Sequence, residues 1–471
     1  MTSFDPGVRL RVSGDRLVDG TGRTVVLRGF GLGGWMNLEN FITGYPGTET
    51  QMRRALRAVL GEDAFGEFFD RFLDVFFGED DARYLASLGM NALRVPFNYR
   101  HFEDDDRPFE LKEEGFALLD RVIGRCADNG LYTILDLHAL PGRQNQHWHS
   151  DNPTHWAEFW NHRHFADRVV HLWEALADRY KNNPWVAGYN PVNEPADPTG
   201  ERIGPFYSRL ERAIRAVDPD HILFLDGNTY STDFSMFTEP FDNTVHTAHD
   251  YALPGIAADG EYPGTVRGRH VDKGVLEETF LDRTRFMRDT GTPIWIGEFG
   301  PIYTGDPVRD ERRRHLLRDQ LDIYAGYGAS WSLWTYKDIG MQGLLHARPD
   351  GEYLTRIAPV LDRKRRLGVD AWGGDDRLVR QVLDPVEALF AEEFPEFDPY
   401  PWGAKPWLKV IVQNILFAEP MVGEFARCFE GVDVAGAGRL ASDFSFSACV
   451  RREELAALLR EYGGSVVTSA P

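Results

Sequence analysis

The sequence predicts an α/β fold, a closed (β/α)8 TIM barrel with an N-terminal β-hairpin and a C-terminal helical extension. Three observations lead to this prediction: the length of 471 residues, the alternation of short apolar runs with longer amphipathic stretches, and the end of that alternation near residue 375. A barrel takes roughly 250 residues, and over 400 with insertions, so there is room for one barrel and an appendage. Alternating strand and helix patterns indicate βαβ units and a parallel sheet.

The segment before the barrel has the pattern of a β-hairpin. From Leu10 to Arg28, apolar and polar residues alternate around the turn-forming sequences Ser13-Gly14-Asp15 and Asp19-Gly20-Thr21-Gly22. A period of two is typical of strands that are buried on one side, and Gly next to Asp marks the turns between them. We expect this hairpin to lead into the first barrel strand and to close the floor of the barrel.

Eight short apolar runs then predict the barrel strands. Each run ends in polar or aromatic residues, and the stretches between runs have the length of crossover helices. The predicted strands are 25–29, 92–96, 132–137, 186–190, 222–226, 244–248, 294–297 and 329–333, and helices are predicted, for example, at 115–129, 164–180, 205–217 and 306–327. A closed barrel is the simplest topology for eight such units.

An open doubly wound sheet gives the same alternation, but it usually carries a glycine-rich phosphate turn after an early strand. The sequence Arg28-Gly-Phe-Gly-Leu-Gly-Gly34 superficially resembles such a turn. Its glycine spacing is wrong for a dinucleotide, no clear helix follows at once, and no acidic residue ends a second strand. We therefore predict a barrel without a nucleotide or any other cofactor.

The strand pattern stops at about Asp375. Amphipathic helical stretches take its place at 378–390, 407–417 and 452–462. We therefore divide the chain into a catalytic barrel with its hairpin, residues 1–374, and a helical extension, residues 375–471. The extension lacks the many short strands of a carbohydrate-binding sandwich. We expect it to pack on the barrel, to shape the site, or to form a contact between subunits of a homo-oligomer.

Charge and composition exclude several classes of protein. The formal net charge is −21, which repels nucleic acid and anionic membranes. No apolar run approaches about 18 residues, and the segment from Met1 to Gly7 lacks the pattern of a secretory leader. The three cysteines, Cys126, Cys428 and Cys449, have no metal-ligand spacing and suit a reducing compartment. These features predict a cytoplasmic protein without nucleic-acid or membrane partners.

Polar side chains with catalytic chemistry collect where the predicted strands end, which is where barrels of this kind hold their catalytic groups. The chain places there Arg94, His138, Asn193-Glu194-Pro195, His249, Tyr251, Glu298 and Trp334. Glu194 and Glu298 follow the fourth and seventh strands and can face each other across the barrel mouth. Two carboxyls about 5 to 5.5 Å apart can hydrolyse a glycoside with retention, one attacking the anomeric carbon and one protonating the leaving oxygen.

This order of residues resembles glycoside hydrolase family 5, in the large clan of retaining (β/α)8 glycosidases. The family's pattern of Arg, His, Asn-Glu-Pro, His-x-Tyr, Glu and Trp is matched over roughly residues 25 to 345. The resemblance implies that Glu298 is the nucleophile and that Glu194 is the general acid/base.

The chemistry assigns tasks to the neighbouring residues. Glu298 has to stay ionised, which a charge-assisted hydrogen bond from Arg94 can ensure. Glu194 has to be protonated when substrate binds, so we expect burial and the charge of Glu298 to raise its pKa. Asn193 is placed to hydrogen-bond the 2-hydroxyl of the reacting sugar, a contact that strengthens in the transition state.

The remaining residues at the strand ends are expected to hold the sugar. We expect Tyr251 to donate a hydrogen bond to the nucleophile or to the ring oxygen, and Trp334 to stack on the C–H face of the sugar. His138 and His249 are expected to line the floor, the first binding hydroxyls and the second tuning the acid/base group. His138, His147, His149 and His155 lie close together in the sequence but lack a recognised ligand spacing with a carboxylate partner, so we predict no metal.

Two further positions favour exo action. Glu39, in Gly33-Gly34-Trp35-Met36-Asn37-Leu38-Glu39, and Asn145, after Gln144, resemble residues that close the subsite beyond the nonreducing end in exo-acting branches of the family. A closed pocket releases one sugar at a time. A cytoplasmic glycosidase meets only small oligosaccharides, which also favours an exo enzyme and predicts a small oligosaccharide or glycoside as its partner.

The segments His147 to Asn152 and Phe159 to His164, with the helical tail, resemble most the bacterial intracellular β-mannosidase branch. That resemblance implies short β-mannosides such as mannosyl-β-1,4-N-acetylglucosamine. No motif reports which orientation of the 2-hydroxyl is accepted, so an exo-β-glucosidase or exo-β-1,3-glucanase stays open. A carbohydrate-binding barrel without catalysis is a further alternative, and the presence of both carboxylates argues against it.

Overall fold

A computed structural model describes residues 9–257, 260–369 and 376–464. Its strands are β1 (Arg11–Ser13), β2 (Arg16–Val18), β3 (Thr24–Val25), β4 (Arg28–Gly31), β5 (Ala92–Asn98), β6 (Tyr132–Ala139), β7 (Val186–Asn190), β8 (Ile222–Asp226), β9 (Thr244–His249), β10 (Gly264–Val266), β11 (Arg269–Val271), β12 (Ile294–Glu298), β13 (Ser330–Leu333), β14 (Lys337–Asp338), β15 (Leu345–His346) and β16 (Val450–Arg451). Eight of them form a closed parallel barrel in the order β12-β13-β4-β5-β6-β7-β8-β9. The predicted (β/α)8 barrel is confirmed.

Helices cover the barrel and form the C-terminal part of the chain. They are α1 (Asn40–Thr43), α2 (Glu49–Val75), α3 (Glu79–Ser87), α4 (Glu113–Asp128), α5 (Arg163–Tyr180), α6 (Ile203–Val217), α7 (Asn228–Ser231), α8 (Leu253–Ile256), α9 (Lys273–Arg283), α10 (Arg285–Thr290), α11 (Pro307–Gly326), α12 (Glu352–Leu367), α13 (Arg380–Glu393), α14 (Ala404–Val410), α15 (Ala418–Arg427), α16 (Val434–Ser442) and α17 (Glu453–Tyr462). A π-helical segment, Ile411–Phe417, joins α14 to α15. None of the described helices is both long and apolar enough to cross a membrane.

The first barrel strand starts later than predicted. β4 begins at Arg28 rather than at Val25, because β3 pairs with β2 and completes a three-stranded hairpin sheet. Asp19 holds the turn before β3, since its carboxylate accepts two backbone hydrogen bonds within that turn. The apolar run from Val25 to Leu27 is continuous, so periodicity alone could not separate the hairpin from the barrel.

The other predicted strands and helices coincide with observed ones. The remaining seven strands start within one residue of the prediction and end at most two residues beyond it. The four example helices correspond to α4, α5, α6 and α11, each with ends within two residues of the predicted ones. Apolar periodicity was a sufficient signal here because each of these elements buries one continuous face.

The hairpin closes the floor of the barrel, as expected. Leu10 and Leu17 belong to one buried cluster with residues near the starts of the barrel strands, namely Leu27, Ala92, Tyr132, Ile134, Ala187, Ile222, Phe224, Val245 and Trp295. Residues two apart on a strand point to the same side. The inward-facing residues that follow this apolar layer on each strand therefore lie nearer the opposite end of the barrel, its mouth.

The C-terminal helices lie against the barrel through α2, a helix that was not predicted. Thr48 and Gln51 form a reciprocal capping box that begins α2, a motif that satisfies two otherwise unpaired backbone donors. The rings of Phe68 and Phe429 lie 5.9 Å apart, and α2 contacts both α15 and α16. This aromatic contact joins the extension to the barrel domain.

Two of the predicted C-terminal helices correspond to α13 and α17. The predicted helix 407–417 is the middle of a longer helical run, from α14 through the π-helical segment to α15. The proposed boundary between residues 374 and 375 lies outside the described residues, as does the segment from Met1 to Gly7.

Candidate active site

A cavity of about 1310 Å³ opens at the C-terminal ends of the barrel strands. Seven of the predicted residues line it: Glu39, His138, Glu194, His249, Tyr251, Glu298 and Trp334. The other three, Arg94, Asn145 and Asn193, are fully buried and contact the lining residues from beneath. All ten predicted positions therefore meet at one site.

Glu298, the last residue of β12, is held by two donors. Arg94 Nη1 donates to its Oε1 at 2.6 Å, and the Tyr251 hydroxyl donates to its Oε2 at 2.9 Å. Charge-assisted hydrogen bonds of the first kind are short and strong, and they orient the carboxylate that receives them. The predicted contact of Tyr251 with Glu298 is therefore present in the structure.

A β-bulge places Glu298 over the barrel mouth. Ile296 pairs with Ala248 and Glu298 pairs with His249, so Gly297 is the extra residue. Strict alternation would put Glu298 and Trp295, three positions apart, on opposite faces, and the bulge corrects this. A Cβ atom at Gly297 would lie only 2.9 Å from Nε2 of His249, so glycine is required for the close approach of these two strands.

Arg94 is fully buried at the centre of the site. Besides Glu298, it donates to Asn190 Oδ1 at 3.0 Å and to Asn193 Oδ1 at 2.6 Å, and it lies 3.1 Å from Asp136. Burial alone would lower the pKa of Arg94, but the charges of Asp136 and Glu298 raise it above its usual range. The guanidinium is therefore a permanent cation beneath the two strands that carry the carboxylates.

The backbone at Glu194 is strained. Its φ is +44°, in a left-handed region that side-chain-bearing residues seldom adopt. Asp226 Oδ2 accepts a hydrogen bond from the Glu194 N–H at 2.9 Å, and the Asn145 side chain donates to the Glu194 carbonyl at 3.0 Å. Backbone strain of this kind persists only where neighbouring groups enforce it, and such positions concentrate at active sites.

The carboxylate of Glu194 lies between two histidines. His249 Nδ1 is 2.6 Å from Oε1, and His149 Nε2 is 3.1 Å from Oε2. Burial alone would raise the pKa of Glu194, but the hydrogen bonds from His149 and His249 outweigh burial and lower it. This corrects the expectation of a raised pKa, because the sequence could not show that two imidazoles meet the carboxylate.

His249 carries the complementary shift. Burial lowers its pKa, but the charge of Glu298 and the hydrogen bond to Glu194 outweigh burial, so its pKa is raised above 6.5. The two shifts have opposite signs, so the proton shared by this pair favours the imidazole over the carboxylate.

The two carboxylates have the separation of a retaining enzyme. One oxygen of Glu194, one of Glu298 and a ring nitrogen of His249 all lie within 4.8 Å of one another. Retaining glycosidases hold their carboxyls about 5 to 5.5 Å apart, whereas inverting enzymes need about 6.5 to 9.5 Å to admit a water. The geometry matches the retaining class.

Among the described residues, the same three groups form a cluster that could hold a metal ion. However, Arg94 lies 2.6 Å from Glu298, and His249 lies 2.6 Å from Glu194. Both carboxylates therefore already have a cationic or protonated partner, which opposes a second cation at this place. The expectation of a metal-free site stays a prediction.

A second group of residues lies in the same cavity as Glu298. His138 is 2.8 Å from Asp136 and 3.5 Å from Glu39, and its ring lies parallel to Trp334 at 5.4 Å. Burial alone would lower the pKa of His138, but Asp136 and Glu39 raise it to about 10. Burial raises the pKa of Glu39. Its Oε1 faces His138 Nε2 at 3.5 Å and is otherwise without a hydrogen-bond partner among the described residues. Such an oxygen is a ready acceptor for a sugar hydroxyl.

Asn145 has a different place from the one expected. Its side chain does not line the cavity. It donates to the carbonyl of Glu194 and contacts Nε2 of His149 at 2.8 Å. Asn145 therefore supports Glu194 and His149 from below the cavity.

Two sets of site residues were missed by sequence reasoning. The first is His149 with Asp226, which hold the side chain and the backbone of Glu194. The second comes from the C-terminal part of the chain, whose cavity-lining residues include Asp376, Arg380, Glu387, Trp402, Lys405, Lys409, Gln413 and Asn414. No local pattern places a distant helix over a barrel mouth, so only the option that the extension shapes the site could be named in advance.

Comparisons with known proteins agree with this geometry. Residues 76–340 match the family model described as cellulase, glycosyl hydrolase family 5. A β-xylosidase from Phanerodontia chrysosporium is 45% identical over 477 residues, which covers 98% of this chain and 99% of that protein. A probable glucan 1,3-β-glucosidase A from Neosartorya fischeri is 28% identical over 355 residues, covering 68% of this chain and 84% of that protein.

Solved structures share the fold. A crystal structure of an endogalactoceramidase, 20% identical, covers 70% of this chain and 75% of its own with a TM-score of 0.51. The family model spans more than half of the chain, and the β-xylosidase relative is 45% identical over nearly all of it. The chain is therefore a glycoside hydrolase and belongs to glycoside hydrolase family 5.

Proposed function

We propose that this protein is a retaining exo-β-glycosidase in which Glu298 is the nucleophile and Glu194 is the general acid/base. The observation that carries the proposal is the distance within 4.8 Å between their carboxylate oxygens. This distance leaves room for a glycosidic bond between the two groups. It leaves none for the water that an inverting enzyme holds between its base and the opposite face of the sugar.

The reaction takes two displacements. Glu298 attacks the anomeric carbon, the bond to the leaving oxygen breaks, and Glu194 gives that oxygen its proton. Glu194 then takes a proton from water, whose oxygen attacks the anomeric carbon and releases Glu298 as a carboxylate. Arg94 and Tyr251 hold the nucleophile in position, since each donates to a different oxygen of Glu298.

Glu194 receives its proton through His249. The 2.6 Å contact joins the protonated Nδ1 to the carboxylate, and entry of a sugar excludes water from both groups. Desolvation disfavours the separated charges of an imidazolium and a carboxylate, so the proton moves to Glu194 when substrate binds. The leaving oxygen then lies next to a neutral acid.

The residues beside the nucleophile fit the nonreducing-end sugar. Glu39 offers an acceptor oxygen, the cationic His138 beside it offers a donor, and Trp334 lies parallel to His138 within the same wall. Acceptors, donors and an aromatic face at one place are the usual components of a sugar subsite. A subsite for one terminal sugar beside Glu298 supports exo action.

The proposed sugar is β-linked xylose. The relative that is 45% identical along nearly the whole chain is a β-xylosidase, which outweighs the motif resemblance that favoured β-mannosides. The competing substrates are β-mannosides and β-glucosides. The second of these classes is suggested by the 28% identical relative, a probable glucan 1,3-β-glucosidase. Cytoplasmic location, a small oligosaccharide or glycoside as partner without nucleic acid or membrane, and homo-oligomer formation through the extension stay predictions.

A panel of 4-nitrophenyl β-D-xyloside, β-D-mannoside and β-D-glucoside tests this assignment. We expect the xyloside to have the highest kcat/KM, and NMR to show the β-anomer as the first sugar released. Faster turnover of the mannoside would restore the first substrate prediction. An α-anomer as the first product would refute retention.

Azide separates the two catalytic roles. With Glu194→Ala, azide should restore turnover and give the β-glycosyl azide, because it attacks the covalent intermediate without needing a base. With Glu298→Ala, it should give the α-glycosyl azide, because it replaces the nucleophile. Sugar binding to the native protein without turnover would revive the non-catalytic alternative.

A further inference from the structure

One wall of the cavity comes from the C-terminal part of the chain, and it is anchored firmly to the barrel domain. The Tyr400 hydroxyl lies 3.0 Å from Thr229 Oγ1, and Trp148 Nε1 donates to the Asn414 carbonyl at 3.2 Å. Three successive residues at the first anchor, 229 to 231, have φ values of 53°, 57° and 62°. Non-glycine residues in this left-handed region are held there by their surroundings, often at ligand-binding positions.

This wall lies on the side from which the aglycone leaves. Glu194 protonates the leaving oxygen in the proposed mechanism, so the aglycone has to lie on its side of the cavity. His149 touches Glu194, the ring of Tyr230 lies 6.1 Å from that of His149, and Trp402 lies 4.6 Å from Tyr230. A continuous aromatic surface therefore runs from the acid/base group to the extension.

Trp402 is the open end of this surface. It lines the cavity and is 50% exposed, although tryptophan side chains are normally well covered. Tyr230 beneath it is buried and hydrogen-bonded to Gln146 at 3.1 Å, which fixes the ring. A fixed, half-open aromatic face is a platform on which a flat ring can stack.

Asn414 adds a directed donor. It lies in the π-helical segment, lines the cavity and is only 6% exposed. Among the described residues, its Nδ2 has no hydrogen-bond partner. Native structures rarely leave a buried amide unsatisfied, and π-helical turns occur frequently at functional sites. The amide is therefore placed for an oxygen atom of a ligand.

The charge of this wall is opposite to that of the protein. The net charge of the chain is −21, yet the described cations that line this part of the cavity outnumber its carboxylates, Asp376 and Glu387. The cations that the C-terminal part of the chain contributes are Arg377, Arg380, Lys405 and Lys409, of which Arg380 and Lys409 pair with Asp376. Lys405 is 78% exposed and lies 4.0 Å from Glu387, the limit of an ion pair. A positive region in a cleft of a negative protein attracts anionic ligands.

We propose that this wall is an aglycone subsite for a flat ring that carries a carboxylate. Trp402 stacks on the ring, Asn414 Nδ2 donates to one of its oxygens, and the cations around Lys405 attract the carboxylate. A carboxylated phenol has this chemistry, and a uronic acid approaches it through the apolar C–H face of its pyranose ring. The inference rests on the proposed function in one respect: the role of Glu194 as the acid places the leaving group on this side of the cavity.

The test compares leaving groups of similar shape and different charge. The substrates are the 4-carboxyphenyl and the neutral 4-carbamoylphenyl β-glycosides of the preferred sugar, with the glycosyl fluoride as a substrate that has no aglycone ring. The variants are Lys405→Gln, Asn414→Ala and Trp402→Ala. Lys181→Gln, at the floor end of the barrel where Lys181 pairs with Asp178, is the matched control.

Lys405→Gln should lower kcat/KM for the carboxylate by about five-fold and leave the carbamoyl substrate unchanged, and salt should abolish the difference. Trp402→Ala should lower kcat/KM for both aryl substrates by about ten-fold and leave the fluoride within about two-fold. Asn414→Ala should lower kcat/KM for both aryl substrates and leave kcat/KM for the fluoride unchanged. Equal effects of Lys405→Gln and Lys181→Gln on the two aryl glycosides would overturn the charge assignment, and an equal loss on the fluoride would overturn the subsite.

Binding separates this inference from the mechanism. In calorimetric titrations, Glu298→Gln should bind the 4-carboxyphenyl glycoside more tightly than the 4-carbamoylphenyl glycoside. Adding Lys405→Gln to that variant should remove the difference in affinity. Tighter carboxylate binding by a protein that hydrolyses nothing would refute the proposed function and keep the subsite. The corresponding disaccharide with a reducing-end uronic acid, compared with its neutral analogue, shows whether the ring is a sugar or a phenol.

Discussion

The two ends of the barrel are built from the same strands, but their inward-facing side chains differ in polarity. At the floor these are apolar and pack with the hairpin: Ala92, Ile134, Phe224, Val245 and Trp295. Further along the same strands, at the mouth, they are Arg94, Asp136, Asp226, His249 and Glu298. The floor has apolar contacts, with the indole N–H of Trp295 as a polar atom without a partner among the described residues, whereas the mouth has a strained residue at Glu194 and buried carboxylates with charged partners. Stability and chemistry are thus separated along each strand. Substitutions at the floor should lower stability with little loss of activity, and substitutions at the mouth should lower activity with little loss of stability.

The largest effect is expected at the mouth. Glu298→Gln keeps the size of the side chain but removes the nucleophile, so kcat should fall by about 10⁴-fold or more. The melting temperature should change little, because the amide can still receive the hydrogen bond from Arg94. Steady-state kinetics and thermal unfolding measure both quantities. Near-normal turnover would end the assignment of Glu298.

The next effect is expected at the floor. Trp295→Ala should reduce the free energy of unfolding by about 3–5 kcal/mol, because it leaves a cavity in the apolar layer. Below the melting temperature, kcat/KM should stay close to the native value. Trp295→Phe is the matched control, with an expected cost under about 1.5 kcal/mol, because the indole N–H has no hydrogen-bond partner among the described residues. A large loss of activity in folded Trp295→Ala would contradict the separation of the two ends.

A smaller effect, with a change in pH dependence, is expected at His249. The pKa of His249 is raised, so the native pair keeps its proton above pH 6.5, and activity should fall only as the pH rises beyond that raised value. His249→Gln should lower kcat by about 10²-fold and move the basic limb of the pH profile to lower pH, because Glu194 then has to hold the proton without this partner. Glu39→Gln is the control and should leave the basic limb in place. An unshifted limb in His249→Gln would exclude His249 as the proton store.

The smallest of these effects is expected in sugar binding. Glu39→Gln replaces one acceptor oxygen with a donor, so KM should rise by about ten-fold with a smaller change in kcat. Product inhibition by the free sugar should weaken by the same factor. A fall in kcat alone, with KM unchanged, would place Glu39 outside the ground-state subsite.

Much of the fold and the centre of the site could be predicted from the sequence. Strand ends with polar residues, such as Asn193-Glu194-Pro195 and Gly297-Glu298, were recognisable because chain order and strand period place them at one rim. The start of β4 was placed wrongly, since an apolar run does not show which sheet it joins. The lowered pKa of Glu194 was missed because His149 is 45 positions away in the sequence and reaches it only in the folded protein.

The sequence by itself therefore determined the (β/α)8 barrel, the two carboxylates and the partners Arg94, Tyr251 and His249, because periodicity and strand order act along the chain. The tertiary structure alone decided the bulge that turns Glu298 inward, the contact of His149 with Glu194, and the aromatic and cationic wall from the C-terminal helices. These features depend on contacts between segments far apart in the chain. Such contacts are set by the packing of whole faces, which no local pattern records.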